Sequence, residues 1–254
     1  MDATRKTVIV TDSSCDLSDE QLSRYGIRMI SLRIVCQNAE YRDRVDIQED
    51  ELYELLTREL PKTSLPLPED VSALYESLAQ EGVTDVIHIS ISSGLSGTFN
   101  MVRMITQDFE GRMRVHMVDS RTLSMGLGMM VLDAVEMARA GKTPQEIVQA
   151  LEAERDLIDT SFVLDQVDYL RNGGRCSGVA AVGAKLLHIK PCIEVEKGVM
   201  VVGKKYRGSF EKCIDQYVRD RLAHPDTLDL SRRFLKDLPD HKLATVSAAL
   251  GAAH

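Results

Sequence analysis

The sequence predicts an α/β protein with a doubly wound parallel sheet in its N-terminal domain and a smaller α+β domain after it. In the first part of the chain, short apolar runs rich in β-branched residues alternate with stretches of helical length. That alternation is typical of a parallel sheet covered by helices. The pattern then changes to a short strand, a Gly/Arg-rich turn and a hairpin. We therefore expect two domains, residues 1–160 and residues 161–254.

The first three elements follow from strand and cap signals. Thr7–Thr11 is apolar and β-branched, which predicts a strand. Ser18 is placed to cap a helix that Gly26 ends. The run Ile27–Val35 is again strand-like, so the chain is expected to re-enter the sheet directly after this helix.

Two more helices precede the central strand. Asp46, three residues before Glu49, predicts a capping box. Pro61–Pro68 contains three prolines and is expected to be a loop. Its last proline suits the first turn of a helix that ends before Gly82. The residues expected to face inward on this helix are Val71, Leu74 and Leu78.

The rest of the first domain continues the alternation of strands and helices. The predicted elements are a buried strand over 85–91, a helix over 98–109, a strand over 114–118, a helix over 124–139 and a helix with a capping box at Thr143 and Glu146.

The second domain is expected to be smaller and mixed. Its predicted elements are a strand over 161–164, a turn over 172–177, a helix over 179–187, a hairpin of 190–195 and 199–202, helices near 208–222 and 228–237, and a strand over 242–246. Different strand and helix orders in the two halves support the division near residue 160.

Composition excludes several classes of protein. The 254 residues carry a net charge of −8, which argues against a broad nucleic-acid surface. No apolar run reaches the ~20 residues of a membrane span, although transient contact with a membrane surface stays open. The N-terminus lacks a signal-peptide core, so we expect a cytoplasmic protein.

Cysteine and histidine usage points away from disulfides and metals. The five scattered cysteines form no CxxC pair and are expected to be buried thiols. The six histidines show no metal-ligand spacing. His88 and His116 lie within apolar strands and are expected to be ordinary core or edge residues.

The turn from Ser92 to Gly97 carries the strongest functional signal. It joins a predicted buried strand to a predicted helix, and it contains Ser93, Gly94 and further hydroxyl residues. Glycine lets backbone N–H groups face a small ligand, and a helix N-terminus adds a partial positive charge. The turn therefore predicts an anion site that holds a charged group without a base or nucleophile.

Two other polar turns are expected to join this site. Thr11–Ser14 and Asp119–Arg121 also follow predicted strands. Because the carboxyl ends of parallel strands share one edge of a sheet, ligands bind in the crevice at that edge. The alternative is that these residues are only turn formers.

Two motifs suggest catalysis but fit poorly. Gly141-Lys142-Thr143 resembles the end of a phosphate-binding loop, yet the loop's first glycine is missing at Glu136. The sequence around Ser96 resembles a hydrolase elbow, yet Thr98 stands where the second glycine is required. Both segments are explained as caps and turns.

Two arginines follow glycine-containing turns or strand ends in the second domain. Arg175 comes after Gly173-Gly174, and Arg207 precedes Gly208. Guanidinium groups suit bidentate recognition of carboxylate or phosphate. Solvated surface arginines are the alternative.

Several short pieces stand in a definite order and spacing along nearly the whole chain. They are Thr11-Asp12-Ser13, Tyr41-Arg42-Asp43, Lys62-Thr63-Ser64 with Pro66, Ser92–Thr98, Val118-Asp119-Ser120, Tyr169-Leu170 with Gly173-Gly174-Arg175, and Ile189-Lys190-Pro191. Together they resemble the DegV family of bacterial lipid-binding proteins, with Leu65 replacing the polar residue usual in the family.

The resemblance implies a two-domain protein that encloses one long-chain fatty acid between its domains. It further implies a non-enzymatic subunit that presents the acyl carboxylate to a separate ATP-dependent fatty acid kinase, which makes acyl phosphate in phospholipid metabolism. No cofactor is implied besides the fatty-acid ligand. The alternatives are an enzyme acting on a small phosphorylated or carboxylated metabolite at the same crevice, and a lipid sensor without a kinase partner.

The resemblance also assigns residues to the site. Arg175 and Arg207 are implied at its mouth, for phosphate or partner contact. Gly94 is implied to supply a backbone N–H, and His254 matches a late histidine of the family. The residues implied to hold the carboxylate are Thr63, Ser64, Ser92, Ser93, Gly94, Gly97 and His254.

Overall fold

The computed structural model describes residues 6–176, 178–179 and 189–223. It divides the chain into two compact units. The first unit comprises Met1–Thr160 together with Val195–Met200, and the second comprises Ser161–Glu194 and Val201–His254. The short segment Val195–Met200 thus belongs to the first unit although both of its neighbours in sequence belong to the second.

The first unit contains seven strands and six α-helices among its described residues. The strands are β1 Thr7–Asp12, β2 Arg28–Ile30, β3 Arg33–Val35, β4 Glu40–Arg42, β5 Lys62–Ser64, β6 Asp85–Ser90 and β7 Arg114–Asp119. The helices are α1 Asp19–Tyr25, α2 Glu49–Leu56, α3 Pro68–Gln80, α4 Thr98–Ile105, α5 Ser124–Arg139 and α6 Pro144–Glu154.

A four-stranded parallel sheet forms the centre of the first unit. Its strand order is β2-β1-β6-β7, and every pairing between neighbours is parallel. β6 is buried at all six residues, because it lies between two strands and under helices on both faces. The predicted α/β fold with a parallel sheet is confirmed.

The predicted caps place most helices correctly. Ser18 caps α1, and its hydroxyl accepts a hydrogen bond from the N–H of Gln21. Thr143 caps α6 in a capping box with Glu146. α5 begins at Ser124 and ends at Arg139, as predicted. One core cluster of the unit is formed by residues of the sheet and of the helices on one face, including Val10, Val71, Tyr75, Leu78, Val86 and Val102.

The run Ile27–Val35 is two strands rather than one. β2 pairs with β1, whereas β3 pairs with β4 and β5 in a separate antiparallel sheet. Between them the backbone of Leu32 leaves both sheets, since its N–H donates to Ser13 Oγ at 3.1 Å and its carbonyl accepts from Asp43 N at 2.9 Å. A continuous apolar pattern therefore hides a change of sheet.

Two other local predictions were wrong. Asp46 does not cap α2, because it is bound by Arg42 Nε and Nη2 at 2.9 and 2.7 Å. Those hydrogen bonds lower the pKa of Asp46 to about 2. The helix begins later, where the N–H of Gln48 donates to Glu51 Oε2. Within Pro61–Pro68, three residues form β5, an edge strand whose pairing positions contain no proline.

The second unit is built on a small antiparallel sheet. Its elements are β8 Ser161–Val163, α7 Asp168–Gly173, β9 Ile189–Glu196, β10 Val199–Arg207 and α8 Phe210–Leu222, with strand order β10-β9-β8. Cys192, Tyr206 and Cys213 form a buried cluster. The predicted hairpin is confirmed and is longer than expected. The helix near 228–237, the strand over 242–246 and most of the helix 179–187 lie outside the described residues.

All five cysteines are free thiols, and four of them are buried. Burial raises the pKa of the Cys15 thiol to about 11, which keeps it protonated and unreactive at neutral pH. The prediction of unpaired, mostly buried cysteines is confirmed.

His88 predicts a loss of stability in acid. It is fully buried on β6, its Nδ1 is hydrogen-bonded to Tyr75 Oη at 2.8 Å, and burial lowers its pKa to about 3. In the unfolded chain the pKa returns to about 6.5. The unfolded state therefore binds more protons between these values, and the free energy of unfolding falls as pH drops below about 6.5.

Urea unfolding at several pH values between 7 and 4.5 measures this effect. Each pH unit costs the wild-type protein up to about 1.4 kcal/mol from this one group. We expect His88→Gln to show a shallower pH dependence, because glutamine does not titrate. Equal slopes for the two proteins would show that His88 is not the group responsible.

Candidate binding site at the carboxyl edge of the parallel sheet

Three strand ends meet at one edge of the parallel sheet. Thr11 of β1 pairs with Ile89 of β6, and Ser90 of β6 pairs with Asp119 of β7. The segments that follow these strands are thereby neighbours. The predicted convergence of the three polar turns is confirmed, and the Ser92–Gly97 loop, defined as residues 92–97, lies at its centre.

Asp12, the last residue of β1, holds the chain at the start of this loop. Its side chain is fully buried, and Oδ2 accepts hydrogen bonds from Ile91 N at 2.8 Å and Ser90 Oγ at 3.1 Å. Burial raises the pKa of Asp12, and the hydrogen bonds from Ser14, Ile91 and Ser90 oppose that shift. An acid at the end of β1 thus fixes the chain where it leaves β6.

Asp119 holds the next part of the loop. Its Oδ1 accepts from the backbone N–H of Ser93 at 3.0 Å, and its Oδ2 accepts from Ser93 Oγ at 2.5 Å. Oδ1 also accepts from the N–H of Arg121 at 3.2 Å. One carboxylate therefore accepts hydrogen bonds from two atoms of the exposed residue Ser93, and this fixes the rotamer of the serine side chain.

Ser92 is a structural residue of the loop. It is buried, its hydroxyl donates to the carbonyl of Gly198 at 2.7 Å, and it accepts from the N–H of Gly94 at 3.2 Å. The carbonyl of Ser92 accepts from the N–H groups of Leu95 and Ser96. The implied role of Ser92 at a ligand stays a prediction, but its hydroxyl already has two protein partners.

The backbone N–H groups of residues 92 to 96 are occupied, which differs from the expected nest of free N–H groups. The N–H groups of residues 91 to 96 all donate to protein acceptors, including Asp12, Asp119 and atoms of the loop itself. The N–H that Gly94 was implied to offer a carboxylate is among them. The loop closes on itself because its two neighbouring acids and the Ser92 carbonyl satisfy these donors.

Leu65, which follows β5, lies beside the Ser92–Gly97 loop. Its side chain lies 3.5 Å from the point where a Cβ on Gly97 would stand. Thr63 and Ser64 precede it on the edge strand β5, where both are exposed and lie opposite Ile34 and Arg33 of β3. The role of Thr63 and Ser64 at a ligand stays a prediction.

The implied arginines lie in the second unit. Arg175 is exposed just after α7, and its Nη1 donates to the carbonyl of Gly173 at 2.5 Å. Arg207 is exposed at the end of β10. His254 lies outside the described residues. The roles of these three residues stay predictions.

Ser96 lacks the environment of an activated nucleophile. Its hydroxyl shares a hydrogen bond of 2.8 Å with Thr98 Oγ1. In the part of the chain that the structure describes, no histidine is hydrogen-bonded to it. Nucleophilic catalysis requires such a base within hydrogen-bond reach.

The described residues lack a metal-binding cluster and a membrane-spanning helix. They contain no group of three or more His, Cys, Asp or Glu placed to hold a metal ion. Their helices include none with the length and apolar character needed to cross a membrane.

Comparison with known proteins identifies the family. The model of the DegV family, described as an uncharacterised protein family, matches residues 6–226. The chain belongs to the DegV family. A DegV domain-containing protein of Clostridium acetobutylicum is 39% identical over 204 residues, covering 80% of this chain and 72% of the relative.

Solved structures of DegV family proteins share the fold. A fatty-acid-binding DegV family protein from Thermus thermophilus has a TM-score of 0.72 at 31% identity, covering 85% of this chain and 74% of its own. DegV of Bacillus subtilis, described as a fatty acid binding protein, has a TM-score of 0.77 at 30% identity, with coverage of 88% and 78%.

Sequence reasoning missed the residues that shape the loop. The sequence predicts Asp12 and Asp119 as parts of polar turns and assigns neither of them a partner. Their position in the sequence was the available signal. Each ends a strand adjacent to β6, so each lies next to the loop that follows β6. Gly198 gave no such signal, since it approaches the loop from the far end of the hairpin.

Substitution of two glycines of the loop by alanine is expected to lower the free energy of unfolding by different amounts. A Cβ on Gly94 would lie 2.7 Å from the carbonyl oxygen of Gly198 and 3.1 Å from Val199 Cγ1. Overpacking of this kind costs about 1–3 kcal/mol. A Cβ on Gly97 would meet only Leu65, at ordinary contact distance.

We therefore expect Gly94→Ala to lower the free energy of unfolding more than Gly97→Ala, which costs under about 1 kcal/mol as a change at a helix N-cap. Denaturant unfolding of both variants measures the difference. Equal losses would show that the approach of Gly198 is not a tight packing contact.

Proposed function

We propose that this protein binds a long-chain fatty acid, with the acyl carboxyl group at the Ser92–Gly97 loop and beside Thr63 and Ser64. It presents that carboxyl group to a separate ATP-dependent kinase subunit, which forms the acyl phosphate. Membership of the DegV family supports the proposal, as do two relatives at 30% identity or more that are described as fatty-acid-binding. The cytoplasmic location inferred from the N-terminus is part of the same proposal.

The observation that carries the proposal is the position of Ser93. Its hydroxyl is exposed at the carboxyl edge of the parallel sheet and is held in one orientation by Asp119 at 2.5 Å. Ligands of open α/β sheets bind at this edge. A fixed, exposed hydroxyl orients a carboxyl group, whereas each buried CH₂ of the acyl chain contributes roughly 0.8 kcal/mol to affinity.

The role of a carrier fits the described residues better than that of an enzyme. Ser96 is paired with Thr98 rather than with a base. Ser93 is paired with an acid that holds its backbone N–H as well. We therefore place the bond-forming chemistry on the partner subunit and assign this chain the tasks of binding and presentation.

Extraction of the purified protein with organic solvent tests the binding proposal directly. Mass spectrometry of the extract is expected to recover long-chain fatty acid in stoichiometric amount. A small phosphorylated or carboxylated metabolite recovered in its place would favour the alternative enzyme. Failure to recover or to reload any fatty acid would overturn the proposal.

Removal of either exposed hydroxyl should weaken fatty-acid binding. Ser93→Ala and Thr63→Ala each delete one polar contact to the carboxyl group. A hydrogen bond contributes roughly 0.5–1.5 kcal/mol between neutral groups and roughly 1.5–3 kcal/mol to a charged group. We expect the dissociation constant to rise at least about threefold in each variant, measured by calorimetry with a defined fatty acid. Ser23→Ala on the exposed side of α1 is the matched control. Unchanged affinity in both variants would remove these residues from the site.

The two arginines should act after binding rather than in it. Guanidinium groups suit the phosphate that appears when the kinase acts. We expect Arg175→Ala and Arg207→Ala to retain co-purified lipid and to slow acyl-phosphate formation with a partner kinase. Arg171→Ala, which removes an exposed arginine paired with Asp168 at 2.6 Å, is the matched control. Loss of lipid from the folded arginine variants would place them at the carboxyl group instead.

A further inference from the structure

The Ser93 hydroxyl already donates its hydrogen to a protein acceptor. Ser93 Oγ donates to Asp119 Oδ2 at 2.5 Å, and the N–H of Ser93 donates to Asp119 Oδ1 at 3.0 Å. A hydroxyl has one hydrogen and two lone pairs. With its hydrogen given to Asp119, Ser93 offers acceptor lone pairs to an approaching group and no donor.

The backbone N–H groups around Ser93 also donate to protein acceptors already. The N–H of Ile91 donates to Asp12, that of Gly94 to the Ser92 hydroxyl, and those of Leu95 and Ser96 to the Ser92 carbonyl. An ionised carboxylate has acceptors only, so it finds no complementary donor on this stretch. A protonated carboxyl group carries an O–H donor that does match.

The charged groups around Asp119 do not offset a second negative charge. Arg155 Nη1 donates to the backbone carbonyl of Asp119 at 3.1 Å, and the Arg121 guanidinium contacts Asp156 at 3.3 Å. The buried acid Asp12 lies under the same loop, and Glu196 and Lys197 directly precede Gly198 in the hairpin turn. An ionised ligand would therefore face the Asp119 carboxylate across one hydroxyl hydrogen, and a like charge at that distance favours the protonated form of the ligand.

We propose that Asp119 is a positioning residue that makes the site bind the carboxyl group of its ligand in the protonated form. The ligand O–H donates to Ser93 Oγ, and Ser93 O–H donates to Asp119. The extra proton comes from the solvent when a fatty-acid anion binds at neutral pH. This inference rests on the proposed function, and it adds that Ser93 accepts a hydrogen bond from a neutral, hydrogen-donating head group, whereas the exposed hydroxyls of Thr63 and Ser64 can donate to the second oxygen of the carboxyl group.

Proton uptake on binding is the decisive measurement. Sodium dodecanoate, below its aggregation concentration, is titrated into the lipid-free protein at pH 7.5 in buffers of different ionisation enthalpy. We expect close to one proton taken up per ligand by the wild-type protein. The apparent Kd is expected to rise about tenfold per pH unit between pH 6.5 and 8.5, because the complex holds a proton that the free anion lacks.

Asp119→Asn should abolish the proton uptake and the pH dependence of binding. The amide Nδ2 can donate to Ser93 Oγ, which frees the Ser93 hydrogen for the ligand anion. We expect no proton uptake and an apparent Kd that changes less than twofold over the same pH range. Asp156→Asn removes a neighbouring charge that contacts Arg121 rather than Ser93, and it is expected to keep the proton uptake of the wild type.

Head-group analogues give an independent readout. We expect 1-dodecanol, an uncharged O–H donor, to compete with dodecanoate at the wild-type site more strongly than methyl dodecanoate, which has no O–H. Ser93→Ala removes the acceptor, so the advantage of the alcohol and the proton uptake should both disappear. Ser93→Ala therefore still tests the proposal if Asp119→Asn fails to fold.

The outcomes separate the two proposals. Binding of dodecanoate by the wild-type protein without proton uptake overturns this inference and leaves the proposed function standing. Proton uptake that persists in Asp119→Asn and in Ser93→Ala places the proton elsewhere and also overturns it. Absence of any fatty-acid binding overturns the proposed function, and this inference with it.

Discussion

The hydrogen bond from the N–H of Ile91 to the buried carboxylate of Asp12, 2.8 Å long, is the contact on which the site depends. It joins the end of β1 to the first residue after β6, so the loop leaves the sheet in one direction. Asp119 makes the equivalent contact from the other neighbouring strand, to Ser93 at 3.0 Å. A parallel sheet supplies this arrangement because strands on both sides of β6 end at the same edge.

The hairpin turn between β9 and β10 places a second constraint on the loop. The carbonyl of Gly198 accepts from Ser92 Oγ at 2.7 Å and occupies the space that a side chain on Gly94 would need. Backbone approaches backbone here, which only glycine allows on the loop side. The Ser92–Gly97 loop is therefore fixed by two acids from within the sheet and by one carbonyl from a segment about a hundred residues later in sequence.

Local signals predicted most of the fold, and competing side-chain contacts account for the errors. Cap residues such as Thr143 and periodic apolar runs act within a few residues, so they located α5 and α6 correctly. Asp46 was misassigned because its partner Arg42 competes with the helix cap. The convergence of polar turns followed from topology, whereas the occupation of the N–H groups of residues 91 to 96 depends on side-chain directions that spacing does not encode.

The acceptor character of the loop bears on how a carrier of the proposed kind releases its cargo. The acyl chain supplies affinity in proportion to the CH₂ groups it buries, and a head-group site rich in donors would add a strong charge-assisted contribution to it. With the Ser93 hydrogen given to Asp119, the head group gains one hydrogen bond and loses its charge. Ionisation of the bound carboxyl group then brings two anions to one hydroxyl, which weakens the hold on the head group when it must act as a nucleophile toward phosphate. Under the proposed function, Ser93 and Asp119 would orient the acid while it is stored and favour its departure once it is ionised.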